Sequence, residues 1–188
     1  TLKKLDWFLA NGYKPNLPKE IDLKSSDEEI KDQISKEYNG EQYKSIGKKL
    51  LNDFKEKETK FYQSLCQVFK IESPEFFEVY LTQYGVGGSY NLPNIIIFNI
   101  NNKKGIKTIF HEIVHIFLEP DVLKYNIKHN KKERIVDLIL NSEQFSFLDY
   151  NFWQSSYGGA EEEIDKIFKQ YFFKDIVKFY LILAKNEA

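Results

Sequence analysis

Between Ile109 and Leu118 every residue is apolar except His111, Glu112 and His115. A helix that is apolar on all sides belongs in a protein interior, so this segment, predicted to be helical from about Ile106, marks the centre of the core. It also carries three ionisable groups into that core, where a polar side chain without partners costs free energy. The chain must therefore fold so that other residues or an ion meet these three groups.

The rest of the pattern is mostly helical. Leu2, Leu5, Phe8 and Leu9 predict a short helix from Leu2 to Ala10, stopped by Gly12. Pro15 and Pro18 place a loop over 13–25, and Ser26 followed by Asp27 to Glu29 opens a second helix that ends near Asn39-Gly40. From Glu41 to Lys70, Tyr43, Ile46, Leu50, Phe54, Phe61, Leu65 and Val68 form one stripe, which predicts a single long amphipathic helix. After Pro74 the stretch Phe77 to Tyr84 is aromatic and β-branched, Gly85, Gly87 and Gly88 interrupt it, and Ile95 to Phe98 follows; this predicts a hairpin. Asn99 to Gly105 is a polar turn into the apolar helix, which Pro120 is expected to close. Two more helices follow, one around Lys131 to Asn141 and one from Ala160 onward, preceded by Gly158-Gly159 and opened by Glu161 to Glu163. The expected fold class is α+β, predominantly helical with a small upstream β-sheet or hairpin packed on the central helix. It is expected as one domain over 1–188, in three consecutive stretches: residues 1–70 helical, residues 71–141 with the sheet and the two central helices, and residues 142–188 helical.

The 27 Lys and Arg nearly balance the 28 Asp and Glu, so the net charge of -1 gives no field to attract polyanions and argues against a nucleic-acid partner. Cys66 is alone, which excludes a scaffold held by disulfides within the chain and favours a reducing compartment such as the cytoplasm. The sequence begins at Thr1 and has no methionine, so the native compartment stays open. The longest apolar runs, Ile95 to Phe98 and Ile176 to Leu183, fall short of the ~20 residues of a membrane span, and a soluble chain is expected.

On a helix, residues four apart share a face, so His111 and His115 can converge on one ion at about 2.0–2.1 Å while Glu112 reaches a water beside it. By chance a chain of this size matches H-E-x-x-H on the order of one time in a hundred, so a metal site is the better reading. The segment resembles the active-site helix of the zincin metallopeptidases: Thr108 fits the position where they carry Val or Thr, Ile109, Ile113, Val114 and Ile116 are uncharged, and Phe117 gives the hydrophobic close. The resemblance implies bound Zn2+, held by His111 and His115, with Glu112 as the base and a peptide or protein as substrate.

Two residues compete as third ligand. Glu133 lies 18 positions after His115 on the predicted next helix, with Asp137 four residues later on the same face. This is similar to the E-x-x-x-D helix of the gluzincins, the thermolysin-like branch, and implies Glu133 as ligand and Asp137 as the group that orients His111. Asp121 fits the spacing of the metzincin branch, but Leu118 stands where that branch needs Gly, and no methionine is present for its methionine turn. The resemblance also implies that an extended substrate lies along the Ile95 to Ile100 strand through main-chain hydrogen bonds, and that His129, Tyr150 or Tyr157 supplies a donor to the oxyanion. The small size resembles the minigluzincins, which implies a latent enzyme whose terminal segments cover the cleft. The rival readings are a zinc-binding structural or protein-interaction domain without turnover, and a helical interaction module in which the motif is incidental.

Overall fold

A computed structural model describes residues 5–10, 12–22, 24–71, 76–154, 157, 159 and 161–185. Leu2, Pro74, Gly158 and Ala160, which entered the expected element boundaries, lie outside them. The fold is α+β and predominantly helical, with one small three-stranded sheet. The chain divides into two compact units, Thr1–Lys55 with Phe77–Ile109 and Glu56–Phe76 with Phe110–Ala188, a division that cuts across the three consecutive stretches read from the sequence.

The first unit holds helices α1 (Leu5–Ala10), α2 (Asp27–Glu37) and α3 (Gly40–Lys55) and strands β1 (Glu78–Thr82), β2 (Gly88–Asn91) and β3 (Ile95–Asn99). Helix α2 starts where Ser26 predicts it: the Glu29 amide donates to Ser26 Oγ at 3.2 Å, and the Ser26 amide donates to Glu29 Oε2 at 2.7 Å. Two of the free amides of the first turn are satisfied in this way. The long helix predicted over 41–70 is in fact two, α3 and α4 (Glu58–Phe69). No Gly or Pro breaks it; residues 55–60 are all polar, so no buried side chain anchors that turn, whereas Leu50 on one side and Phe61 and Leu65 on the other are buried.

The sheet order is β1-β3-β2. Strand β1 runs parallel to β3, from Glu78 opposite Ile95 to Thr82 opposite Asn99. Strand β2 runs antiparallel to it, from Gly88 opposite Phe98 to Asn91 opposite Ile95. The expected pairing of Phe77–Tyr84 with Ile95–Phe98 as hairpin arms is thus corrected: the antiparallel partner is the polar strand Gly-Ser-Tyr-Asn, which has no apolar alternation to reveal it. Gly85 (φ 78°) lets the chain cross between the outer strands, and at Gly87 a Cβ would come within 2.7 Å of Asn102 Nδ2. Strand β3 is hydrogen-bonded on both edges, so its main chain has no free row for a substrate, and the strand role expected for Ile95 to Ile100 is excluded.

The second unit holds α4, α5 (Ile106–Lys124, in this unit from Phe110), α6 (His129–Leu140), a 3-10 helix (Glu143–Leu148), α7 (Glu161–Ile167), a π-helical turn (Phe168–Phe172) and α8 (Ile176–Lys185). Pro120 does not close α5 but lies inside it. Its missing N–H removes one hydrogen bond to the preceding turn, and buried Val122 holds the last turn in place. The expected single aromatic helix from Ala160 onward is likewise divided into α7, the π turn and α8. Stacking explains the change of winding: Phe168 lies 4.5 Å from Phe172, and Phe179 packs edge-on to both. At the other end of the core, Phe61 meets Phe110 at 4.4 Å and Phe145 at 5.8 Å. Phe110 precedes His111, so this aromatic contact fixes the turn of α5 that carries the first histidine.

Candidate metal centre

Two helices build the site, and all its atoms belong to the second unit. Helix α5 is apolar around His111, Glu112 and His115, and these three are only 8%, 7% and 2% exposed. The turn between the histidines brings their Nε2 atoms to 3.0 Å. Helix α6 is buried on most of its surface: Ile135 and Ile139 lie on the stripe opposite Glu133 and Asp137, and these two carboxylates share the face that meets the histidines. Glu133 Oε2 then lies 3.2 Å from His111 Nε2 and 3.3 Å from His115 Nε2, and Oε1 lies 3.2 Å from His115 Nε2.

These separations fit one ion. Donors about 2.0–2.1 Å from a cation in tetrahedral arrangement sit about 3.3–3.4 Å from one another. The observed donor separations of 3.0 to 3.3 Å are close to that, and His111, His115 and Glu133 form a group that could hold a metal ion. Two imidazoles and a carboxylate suit a first-row divalent metal. Among the described residues Asp121 is not a member of this group; α5 continues through it, so the chain has not turned back toward the histidines. Burial opposes a charge on His111, but hydrogen bonds to Asp137 and Glu133 outweigh it and raise its pKa to about 10. Burial lowers the pKa of His115. Burial would raise that of Glu133, yet the two histidines hold its carboxyl well below the usual range.

Asp137 lies one turn after Glu133 and is fully buried. Its Oδ1 is 3.4 Å from His111 Nδ1 and accepts from the Tyr150 hydroxyl at 3.3 Å, and that hydroxyl is itself 2.9 Å from His111 Nδ1. Asp137 Oδ2 accepts from the Tyr157 hydroxyl at 2.5 Å and from the Gln154 amide at 3.1 Å. The face of His111 remote from Glu133 thus meets a carboxylate and a phenol, an arrangement that fixes the ring with Nε2 turned toward Glu133 and His115. Burial pushes the pKa of both tyrosines up, with Asp137 adding to the shift, so their hydroxyls stay protonated.

Of the three candidate oxyanion donors, Tyr150 and Tyr157 are engaged with Asp137 on the far side of His111. His129, at the start of α6, is the one near the donor set: its Nδ1 is 3.6 Å from Glu133 Oε1, and its side chain is 38% exposed. Glu112 follows His111 on α5, and its charge favours protonation of His111 and opposes ionisation of Tyr150.

Two contributors escape a reading of the sequence. The Gln154 side-chain amide donates to Glu133 Oε2. Arg134 grips Asp165 through two bonds of 2.8 and 2.7 Å and lies over the rings of Trp153 and Tyr157 at 4.4 and 4.8 Å. A lone Gln in a loop carries no local signal. The aromatic cluster Phe152, Trp153 and Tyr157 is the visible hint that this segment packs onto a helix.

Fold and site together define an α+β, mainly helical protein with a buried His-His-Glu group on two consecutive helices. No family model matches the chain, and no curated protein or solved structure matches it. Among the described residues no helix is long and apolar enough to cross a membrane.

Proposed function

We propose that this chain is a gluzincin-type zinc peptidase in which His111, His115 and Glu133 hold the ion and Glu112 is the base. The observation that carries this reading is the pairing of a three-donor group of tetrahedral dimensions with a neighbouring carboxylate outside that group. A structural zinc site has no use for such a carboxylate, and it closes its fourth position with another Cys or His. When bound, zinc polarises the scissile carbonyl and lowers the pKa of water toward neutrality. Glu112 takes a proton from the attacking water as its oxygen bonds to the carbonyl carbon, and returns that proton to the amine nitrogen as the C–N bond breaks. The products are one carboxylate and one amine. Asp137 and Tyr150 hold His111 in the tautomer whose Nε2 lone pair is available to the ion, and half-buried His129 is the nearest candidate to donate to the oxyanion.

The low exposure of His111, Glu112, His115 and Glu133, none above 8%, supports a latent form that must open before a peptide reaches the site. The same burial favours a second reading, a zinc-binding domain without turnover. Metal analysis beside a peptide-library assay separates them. Equal zinc in the parent and Glu112→Gln, with cleavage by the parent alone and a loss of about 10²–10⁴-fold in the variant, supports hydrolysis. Zinc in both without cleavage by either, even after removal of terminal segments, supports the binding domain.

A further inference from the structure

We infer that Gln154 is a positioning residue of the metal centre, one that sets the orientation of the Glu133 carboxylate and ties it to Asp137. The inference rests on the metal-binding half of the function proposed above and not on its peptidase half. Three observations carry it.

The Gln154 side-chain amide donates to Glu133 Oε2, the oxygen that lies 3.2 and 3.3 Å from the two imidazole nitrogens. The backbone amide of the same residue donates to Asp137 Oδ2 at 3.1 Å. One residue therefore holds both carboxylates of α6, the donor to the ion and the group behind His111. Thirdly, described residues before and after Gln154 are fastened. Asn141 Nδ2 donates to the Phe152 carbonyl at 3.0 Å, Asn130 Nδ2 donates to the Tyr157 carbonyl at 2.9 Å, and Trp153 lies against the Arg134 guanidinium. Asp149 and Asn151 take left-handed backbone angles (φ 47° and 39°) that these two residue types tolerate best after glycine. The amide is thus presented to Glu133 by a residue whose described neighbours Phe152, Trp153 and Tyr157 are each held by α6 side chains or by Asn141.

The choice of side chain suits the task. A Lys or Arg at this position would neutralise Glu133 and weaken its attraction for a cation. A neutral amide occupies one lone pair, fixes the plane of the carboxylate and leaves its charge for the ion. Partners of this kind contribute about 10–100-fold to metal affinity.

The test is a zinc dissociation constant measured by chelator competition on the full chain, together with the visible spectrum of the Co(II)-loaded protein. Gln154→Met removes the donor at nearly constant volume. It is expected to weaken zinc binding by about 10–100-fold and to change the Co(II) bands, while the thermal midpoint of the metal-free protein moves little. If that variant does not fold, Gln154→Leu, which likewise removes the donor without adding a charge, is read against the same expectation. Affinity within twofold of the parent and an unchanged Co(II) spectrum overturn the inference. A parent that takes up no stoichiometric zinc overturns it together with the metal centre. A parent that binds zinc tightly, loses affinity on substitution and cleaves nothing upholds the role of Gln154 and refutes the peptidase alone.

Discussion

Asp137→Asn is the substitution that asks most of the polar network. The native carboxylate is fully buried and receives the Tyr157 hydroxyl (2.5 Å) and Gln154 amide (3.1 Å) on Oδ2, with the Tyr150 hydroxyl (3.3 Å) and His111 Nδ1 (3.4 Å) at Oδ1. Asparagine keeps the shape and one acceptor, but its amide nitrogen must face one of these two pairs of donors. Facing Oδ1's partners is the cheaper choice, because those contacts are longer. Two charge-assisted bonds are then lost, each worth about 1.5–3 kcal/mol, and two buried donors are left facing another donor. Relief of the buried charge offsets some of that loss. The net expectation is about 2–4 kcal/mol of destabilisation in the metal-free protein, a large share of the ~5–15 kcal/mol that holds a typical domain together. Urea unfolding followed by tryptophan fluorescence in a Trp7→Phe background is the assay, because the remaining ring, Trp153, lies 4.4 Å from the Arg134 guanidinium in the same unit as Asp137. A loss below about 0.5 kcal/mol would refute the view that Asp137 organises this end of the site. Zinc affinity is expected to fall about 10–100-fold in the same variant, because His111 loses its orienting partner.

Phe61 is fully buried against Phe110 and Phe145, so Phe61→Ala is expected to cost about 3–5 kcal/mol in urea unfolding and to weaken zinc binding through the turn of α5 that bears His111; a loss under about 1 kcal/mol contradicts the packing. In the metal-free protein, the pKa of His111 stands at about 10 against its ordinary 6.5. A folded-state pKa that is raised gives stability that is complete below pH 6.5 and is lost as pH rises toward 10, so the metal-free thermal midpoint is expected to fall across that range. Zinc must displace this proton, and titration calorimetry at pH 7 in buffers of different ionisation heat is expected to show about one proton released per ion. Heats that do not depend on the buffer contradict a protonated His111.

The features of the fold that could be read from the sequence are those fixed by local spacing. His111 and His115 four residues apart, Glu133 and Asp137 four apart, and the Ser26-to-Glu29 cap are each settled within one or two helical turns, and the structure places them as those spacings require. What failed depends on contacts that spacing does not encode. Strands β1 and β3 are direct neighbours in the sheet although a polar strand separates them in sequence, so two apolar runs looked like the arms of one hairpin. The break between α3 and α4 occurs where burial lapses and not where a helix-breaking residue stands. Pro120 carries a strong stop signal, but buried Val122 beyond it keeps the helix going. The role of Gln154 depends wholly on where the chain after α6 returns to it, which no pattern around Gln154 discloses.

The most direct measurement is zinc K-edge X-ray absorption on protein loaded with one equivalent of zinc, compared with His115→Ala and Glu133→Ala. The expected result is a shell of nitrogen and oxygen donors at about 2.0–2.1 Å containing two imidazoles, one of which is lost in His115→Ala, with the imidazoles kept and the affinity reduced in Glu133→Ala. Failure to take up one equivalent, or a shell that neither substitution alters, would contradict the assignment of these residues as the metal's ligands.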